Sequence, residues 1–258
     1  MTRTDLDGVP RTPTALRRTA FLGGALYVLT FLSSIPAVAL LGPVLNDREY
    51  VLGAGADTQV LWGAVLDIVN PIAAVGTAVV LYPVVRRQSQ ALALGFATSR
   101  LLEAATLMVG VLSVLAVVTL RQDLGATGDP SLVTVAAGLV AVRDWAFLVG
   151  TSAATANALL LGTLMYRSRL VPRVIPLMGL VGAPLLLLGN GLTMLGLNDL
   201  TSPLTAVTLP GIFFWELSLG VYLMAKGFRP SPVTAGLLAA DDVLAAVPTA
   251  PSALAVTR

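Results

Sequence analysis

The sequence predicts an all-α integral membrane bundle of six transmembrane helices with both termini in the cytoplasm. Hydrophobic residues make up 56% of the 258 residues and charged residues only 12%, whereas an average soluble domain carries about 25% charge. Six apolar runs each reach the roughly 20 residues that a helix needs to cross a hydrocarbon core about 30 Å thick. Because the runs are continuous and do not alternate with polar residues, helices are favoured over the strands of a membrane barrel.

The first span is predicted at residues 20–41, directly after the pair Arg17-Arg18. A basic pair before an apolar run, with an Ala-Val-Ala sequence at residues 37–39, is also typical of a cleaved signal peptide. The apolar run continues to the end of the predicted span, which favours an uncleaved helix. Cleavage stays an alternative that would leave the other five spans unchanged.

The other five spans are predicted at residues 59–82, 91–120, 141–165, 174–197 and 204–226. The third span of the chain is longer than a bilayer requires, so we expect it to tilt or to continue outside the membrane. A further apolar segment, residues 131–140, comes directly before the fourth span. It is predicted to be either a helical lead-in to that span or a short helix at the membrane interface.

The basic residues predict the orientation of the chain. Of the 16 Arg and Lys residues, twelve fall in the two tails and in the loops after the second and fourth spans, and only Arg48 and Arg121 fall in the opposite loops. Because basic loops stay in the cytoplasm, both termini are predicted to be cytoplasmic. The tails, residues 1–16 and 229–258, are polar or rich in Pro and Ala and are predicted to be disordered, which leaves residues 17–228 as the transmembrane domain.

Polar residues near the middle of the spans form the candidate site for a small solute or ion. They are Asp67, Asn70, Arg100, Glu103, Asn190 and Glu216. A charged side chain at the centre of a membrane helix costs about 2.5–3.5 kcal/mol on insertion scales. These groups are therefore expected to face the interior of the bundle and to find partners there.

Arg100 and Glu103 lie at i, i+3 spacing on one helix face. This spacing predicts either an ion pair that fixes helix packing or a carboxylate site balanced by an arginine. If the pair forms, Glu216 has no obvious partner and becomes the better candidate for a proton carrier or cation ligand. The alternative for Glu216 is a neutral acid that is hydrogen bonded to another helix.

Two spans carry interruptions. Pro71 follows Asp67 and Asn70 in the second span, and a proline there kinks the helix and frees a carbonyl beside a carboxylate and an amide. The fifth span carries a Gly-Asn-Gly sequence around Asn190. Interrupted spans at matching positions are typical of transporter binding sites. A packed kink in the second span and close helix packing through glycine in the fifth are the alternatives.

The fourth span carries two further features. Arg143 and Asp144 stand beside Trp145 near its outer end, which is typical of an anchor at the membrane interface. Small residues at i, i+4 spacing let helices approach closely, and here they are Ala154, Ala158 and Gly162. Packing within the chain is the first interpretation of this stripe, and a homo-oligomer contact is the second.

The loop after the fourth span carries Arg167, Arg169 and Arg173. These residues either determine topology or bind the head groups of anionic lipids. The lipid bilayer is the expected partner of the chain. A net charge of only +2 gives no reason to expect a nucleic acid partner.

Three stretches carry a family resemblance. They are Arg18-Thr-Ala-Phe-Leu-Gly-Gly-Ala-Leu-Tyr27, Ser99-Arg-Leu-Leu-Glu-Ala104, and Tyr166-Arg-Ser-Arg-Leu-Val-Pro-Arg173 followed by Gly179-Leu-Val-Gly182. In these stretches, and in their order over residues 17–226, the chain resembles the bacterial membrane family called domain of unknown function 4386. It departs from that family at Arg169, where the family tends to have a small residue. The resemblance implies a multi-pass protein of the bacterial inner (plasma) membrane and carries no activity with it.

The composition excludes several chemistries. The chain has no Cys and no His, which removes disulfides, thiolate nucleophiles, the common zinc sites and histidine catalysis. It has no phosphate-binding Gly-Lys-Ser/Thr loop, and no cofactor or metal is expected. Binding or passage of a small solute or ion is therefore the leading prediction, and an enzyme is less favoured. The alternatives are a non-catalytic membrane scaffold or regulatory partner and a lipid-acting enzyme, which would need a head-group-level carboxylate such as Asp144.

Overall fold

A computed structural model describes residues 14–53, 55, 57–199 and 202–235. The helices are α1 (Thr14–Leu40), α2 (Gly42–Asn46), α3 (Asp57–Val85), α4 (Gln90–Leu124), α5 (Ser131–Ser168), α6 (Val174–Met194) and α7 (Pro203–Ala225). All but α2 are long and apolar enough to cross a membrane, and the described residues contain no strand. The predicted fold class, an all-α membrane bundle of six spanning helices, is confirmed. The rest of the two predicted tails lies outside the described residues.

The spanning helices extend past the predicted ends of the spans. α5 begins at Ser131, so the apolar segment before the fourth span is a helical lead-in that continues into the span without a break. α4 has 35 residues and α5 has 38, which gives lengths of about 52 and 57 Å at 1.5 Å per residue. Both lengths exceed a hydrocarbon core of about 30 Å, so these helices tilt or stand out of the bilayer.

The six spanning helices close into a ring. Each packs against its neighbours along the chain, and α7 returns to pack against α1. Every helix therefore turns one face toward a shared interior and the opposite face toward lipid. The outward faces carry large apolar side chains such as Leu32, Ile72 and Leu112, which are 66%, 62% and 60% exposed. In water such surfaces would be unstable, whereas a bilayer covers them.

The two ends of the ring carry opposite charge. One end, referred to below as the basic end, holds nine basic residues and, among the described residues, no acid: Arg17, Arg18, Arg86, Arg87, Arg167, Arg169, Arg173, Lys226 and Arg229. The other end, the acidic end, holds two arginines, Arg48 and Arg121, and six acids: Asp47, Glu49, Asp57, Asp123, Asp129 and Asp199. The net charge of the bundle therefore changes from positive at one end to negative at the other end along the helix axes.

Residues after α7 cover part of the basic end. The Arg229 N–H donates to the carbonyl of Leu170, at 2.8 Å, and the Ser231 hydroxyl donates to the carbonyl of Ser168, at 2.6 Å. Ser168 is the last residue of α5, and Leu170 lies in the turn that follows it. The described chain thus stays packed for several residues past the predicted start of the C-terminal tail.

Candidate functional site

A charged cluster lies in the interior of the ring, about 15 Å along α4 from its first residue. Its centre is Arg100, whose Nη1 donates to Oε2 of Glu103, at 2.9 Å, and whose Nη2 donates to Oε1 of Glu216 on α7, at 2.5 Å. The arginine side chain is 2% exposed, and the two glutamate side chains are 11% and 15% exposed. One guanidinium therefore holds two carboxylates that come from different helices.

Three further side chains complete the cluster. The amide of Asn157 on α5 donates to the same Oε2 of Glu103, and the Ser99 hydroxyl donates to the amide oxygen of Asn157. The guanidinium carbon of Arg100 lies 5.1 Å from the ring centroid of Tyr27 on α1, within reach of a cation–π interaction. Four of the six spanning helices thus contribute to one polar centre.

The charges of this cluster do not balance. One guanidinium faces two carboxylates, so the cluster carries a net charge of −1 when both acids are ionised. An uncompensated charge inside a membrane bundle is costly. The cluster is neutral as a group when one of its two acids is protonated or when one cation is bound beside it. The described residues contain no group of three or more His, Cys, Asp or Glu side chains that could hold a metal ion.

A second polar group lies nearer the acidic end. Asp67 and Asn70 of α3, Ser34 of α1 and Arg143 of α5 line a cavity of about 50 Å³. Arg143 points into the bundle, where its Cγ lies 3.4 Å from the position that a Cβ on Gly110 of α4 would occupy. Arg143 thus faces neighbouring helices, and it lies twelve residues after the start of α5, about 18 Å along the axis. Whether it also lies at the membrane interface depends on the depth of α5 in the bilayer, so the interfacial anchor stays a prediction.

Asn190 belongs to neither group. Its amide donates to the hydroxyls of Thr151 and Ser152 on α5, at 3.1 and 3.0 Å, and the residue is 5% exposed. These bonds satisfy a buried amide and join α6 to α5. The six predicted site residues are thus divided among three places, with Arg100, Glu103 and Glu216 in one of them.

Glu216 has a partner that sequence reasoning did not foresee. The expectation that Glu216 has no obvious partner once Arg100 pairs with Glu103 is wrong, because a guanidinium carries five N–H donors and binds both acids. Sequence reasoning also missed Asn157 and Tyr27 as members of the cluster. Asn157 could have been found as the one amide side chain within the fourth predicted span, and Tyr27 ends the first of the stretches that carry the family resemblance.

The other predicted contact residues lie as follows. All three arginines are exposed at the basic end, Arg167 in the last turn of α5 and Arg169 and Arg173 on the turn between α5 and α6. The small-residue stripe of α5 is buried within the chain, and Gly162 faces Leu180 of α6. The stripe thus packs helices inside one copy of the chain and is not an exposed surface for a second copy.

A comparison with protein families matches residues 22–227 to the family described as Domain of unknown function (DUF4386). The chain belongs to this family. The matched range contains all six spanning helices apart from the first turns of α1, and it includes every residue of the charged cluster. A search of curated proteins and a search of solved structures each found no match to the chain. The chemistry of the cluster is therefore argued from its own residues.

Proposed function

We propose that this multi-pass membrane protein binds protons at the Arg100–Glu103–Glu216 cluster and passes them, or a small solute coupled to them, across the membrane. The observation that supports the proposal is the imbalance of charge at the cluster. Two acids that share one arginine inside a membrane bundle are neutral as a group only when one further positive charge is bound. Buried acids of this kind mark ion and proton pathways in membrane proteins.

The donor set favours a proton over a metal cation. A hard cation such as Ca²⁺ takes six to eight oxygen ligands, and Mg²⁺ takes six. Here Oε2 of Glu103 already accepts bonds from Arg100 and Asn157, and the guanidinium charge lies beside both acids. A proton needs a single carboxylate oxygen and no coordination shell.

Proton binding would change the contact between two helices. The bond between Arg100 and Glu216 joins α4 to α7 across the interior, and it is strong because both groups are charged. Protonation of Glu216 makes it a weaker acceptor and loosens this connection. Bound protons thereby favour a different position of α7 relative to α4. Coupling of proton binding to the passage of a solute requires two such arrangements.

Proton flux in liposomes tests the proposal. The purified protein is reconstituted with a pH-sensitive dye inside, and a pH gradient is applied to the wild type, Glu103→Gln and Glu216→Gln. We expect each variant to lose at least tenfold in proton flux, because a glutamine still accepts a bond from Arg100 but holds no proton. Glu49→Gln is the matched control, since Glu49 is an exposed acid at the acidic end and its loss should leave the flux unchanged.

Infrared difference spectroscopy measures proton binding without flux. On lowering the pH, the wild type should show a protonated carboxyl band that is missing or reduced in Glu103→Gln and Glu216→Gln. Thermal unfolding in detergent checks that both variants are folded. Wild-type flux and a wild-type carboxyl signal in both variants would contradict the proposal.

A further inference from the structure

We infer that the Asp67–Arg143 cavity is a second proton site, and that it connects the charged cluster with the acidic end of the bundle. The inference rests on the proposed function and adds the direction from which protons reach the cluster. It depends on the position of the cavity, on the unpaired charges within it and on a further cavity at the acidic end.

The position of the cavity is measured along α4. Glu103 belongs to the cluster, whereas Leu107 and Gly110 of the same helix line the cavity. At 1.5 Å per residue these two lie about 6 and 10 Å beyond Glu103 toward the acidic end. Leu107, which packs against Gly150 of α5, is thus the lining residue of α4 nearest to Glu103 and lies about one helical turn beyond it on the same face.

The charges in the cavity face each other without contact. Among the residues that the structure describes, Asp67 and Arg143 form no ion pair within 4.0 Å, and Nε of Arg143 is buried without a hydrogen-bond partner. Arg143 is the charged residue that shares the cavity with Asp67; α1 adds Ser34, and α4 adds apolar residues. A water molecule needs about 10–15 Å³, so a cavity of about 50 Å³ has room for a short chain of waters between carboxylate and guanidinium.

A larger cavity of about 280 Å³ lies at the acidic end. Asp47 and Arg48 line it from the loop after α2, and Asp144 lines it from α5, one residue after Arg143. Asp47 and Arg48 are exposed at the surface. Carboxylates thus occur at three successive levels, at this outer cavity, at Asp67 and at the cluster. The nine basic residues of the opposite end repel protons and other cations.

The test uses the liposomes and infrared spectra described above. Asp67→Asn should reduce proton flux at least tenfold and leave the carboxyl signal that depends on Glu216 in place, because the cluster itself is intact. Asp123→Asn, an exposed acid on α4, is the matched control and should keep wild-type flux. Leu107→Ala, which shortens the lining side chain of α4 nearest to Glu103, should raise the flux.

The outcomes separate this inference from the proposed function. Normal flux in Asp67→Asn together with lost flux in Glu216→Gln would overturn the second site and leave the cluster proposal standing. Loss of the Glu216-dependent signal in Asp67→Asn would also overturn it, because Asp67 would then act on the cluster itself. Asp67→Glu, which keeps the acid, should retain flux, and thermal unfolding of each variant checks its fold. Unchanged flux in Leu107→Ala would count against the route past that leucine.

Discussion

Arg169 directly follows the last residue of α5, has a φ of 57° and is the one non-glycine residue with positive φ in the described chain. The left-handed region costs an L-residue about 1–2 kcal/mol, and glycine at a helix end largely avoids this cost. The left-handed backbone conformation at this position thus explains why the family tends to have a small residue here. Arg169→Gly should raise the free energy of unfolding by about 1 kcal/mol, as measured by denaturation in detergent.

A neighbouring residue supplies the control for this substitution. Arg167 lies in the last helical turn of α5, where glycine is about 1 kcal/mol less favourable than a good helix former. Arg167→Gly removes the same side chain and the same charge, but it should lower the stability. A loss of stability in both variants would show that the arginine side chain at 169, and not its backbone, decides the result.

Tyr50 makes the stability of the loop before α3 sensitive to high pH. Its hydroxyl donates to Oδ1 of Asp57, at 2.8 Å, and Arg121 also pairs with that carboxylate. Burial raises the pKa of Tyr50, and the charge of Arg121 opposes the rise. A raised pKa adds stability that is present below the unfolded value, about 10, and is lost as the pH rises through the folded value. The free energy of unfolding should therefore fall above about pH 10, and Tyr50→Phe should show a smaller fall. An identical fall in the variant would contradict this account.

The pairing of charged residues is the part of the site that the sequence does not reveal. Arg100 and Glu103 are neighbours through helix geometry alone, so their ion pair follows from spacing. Glu216 is 116 residues from Arg100, and they meet because α7 closes the ring against α1. Asp67 and Arg143 likewise share a cavity only because α3 and α5 both flank α4. The hydrophobic pattern of the sequence predicts where each helix lies along the chain but not which other helices it packs against.

At the scale of the elements, α6 and α7 cross at a pair of glycines. A Cβ on Gly182 would lie 2.7 Å from the carbonyl carbon of Gly211, so the contact is between backbones. Gly182→Ala must push the helices apart and should lower the free energy of unfolding by about 1–3 kcal/mol, the usual cost of overpacking. Gly191→Ala in the same helix is the control, because no atom lies within 4 Å of its Cβ position. That variant should be neutral or slightly more stable, and equal losses in the two would contradict the crossing.

Which glycines make close contacts was only partly predictable. The Gly-Asn-Gly sequence of the fifth span suggested close packing, and Gly189 does face Thr208 of α7, whereas Gly191 faces open space. The backbone-to-backbone contacts are instead made by Gly182 with Gly211 and by Gly24 with Gly220. A glycine allows a close approach only when a neighbouring helix lies opposite it. Its role therefore depends on the ring and not on its own surroundings in the sequence.

The distribution of charge between the two ends of the whole molecule predicts its orientation in the membrane. Nine basic residues at one end and two at the other predict that the basic end lies in the cytoplasm, because basic segments are retained there. The chain has no cysteine, so single-cysteine variants need no background substitutions. Gln90→Cys reports on the basic end and Ala126→Cys on the acidic end, and both positions are exposed. A membrane-impermeant maleimide should label Ala126→Cys on intact cells and Gln90→Cys only after permeabilisation.

The orientation also decides what the two proposed proton sites would mean for the cell. If the acidic end is outside and both proposals hold, protons from the exterior reach Asp67 first and the Arg100–Glu103–Glu216 cluster second, and they leave toward the cytoplasm. An inward pH gradient, acidic outside, would then drive a coupled solute through the ring. The reverse labelling pattern would contradict the predicted topology and place Asp67 on the cytoplasmic side of the cluster. Labelling of both variants on intact cells, with a cytoplasmic marker protein left unlabelled, would show a mixture of orientations and contradict it as well.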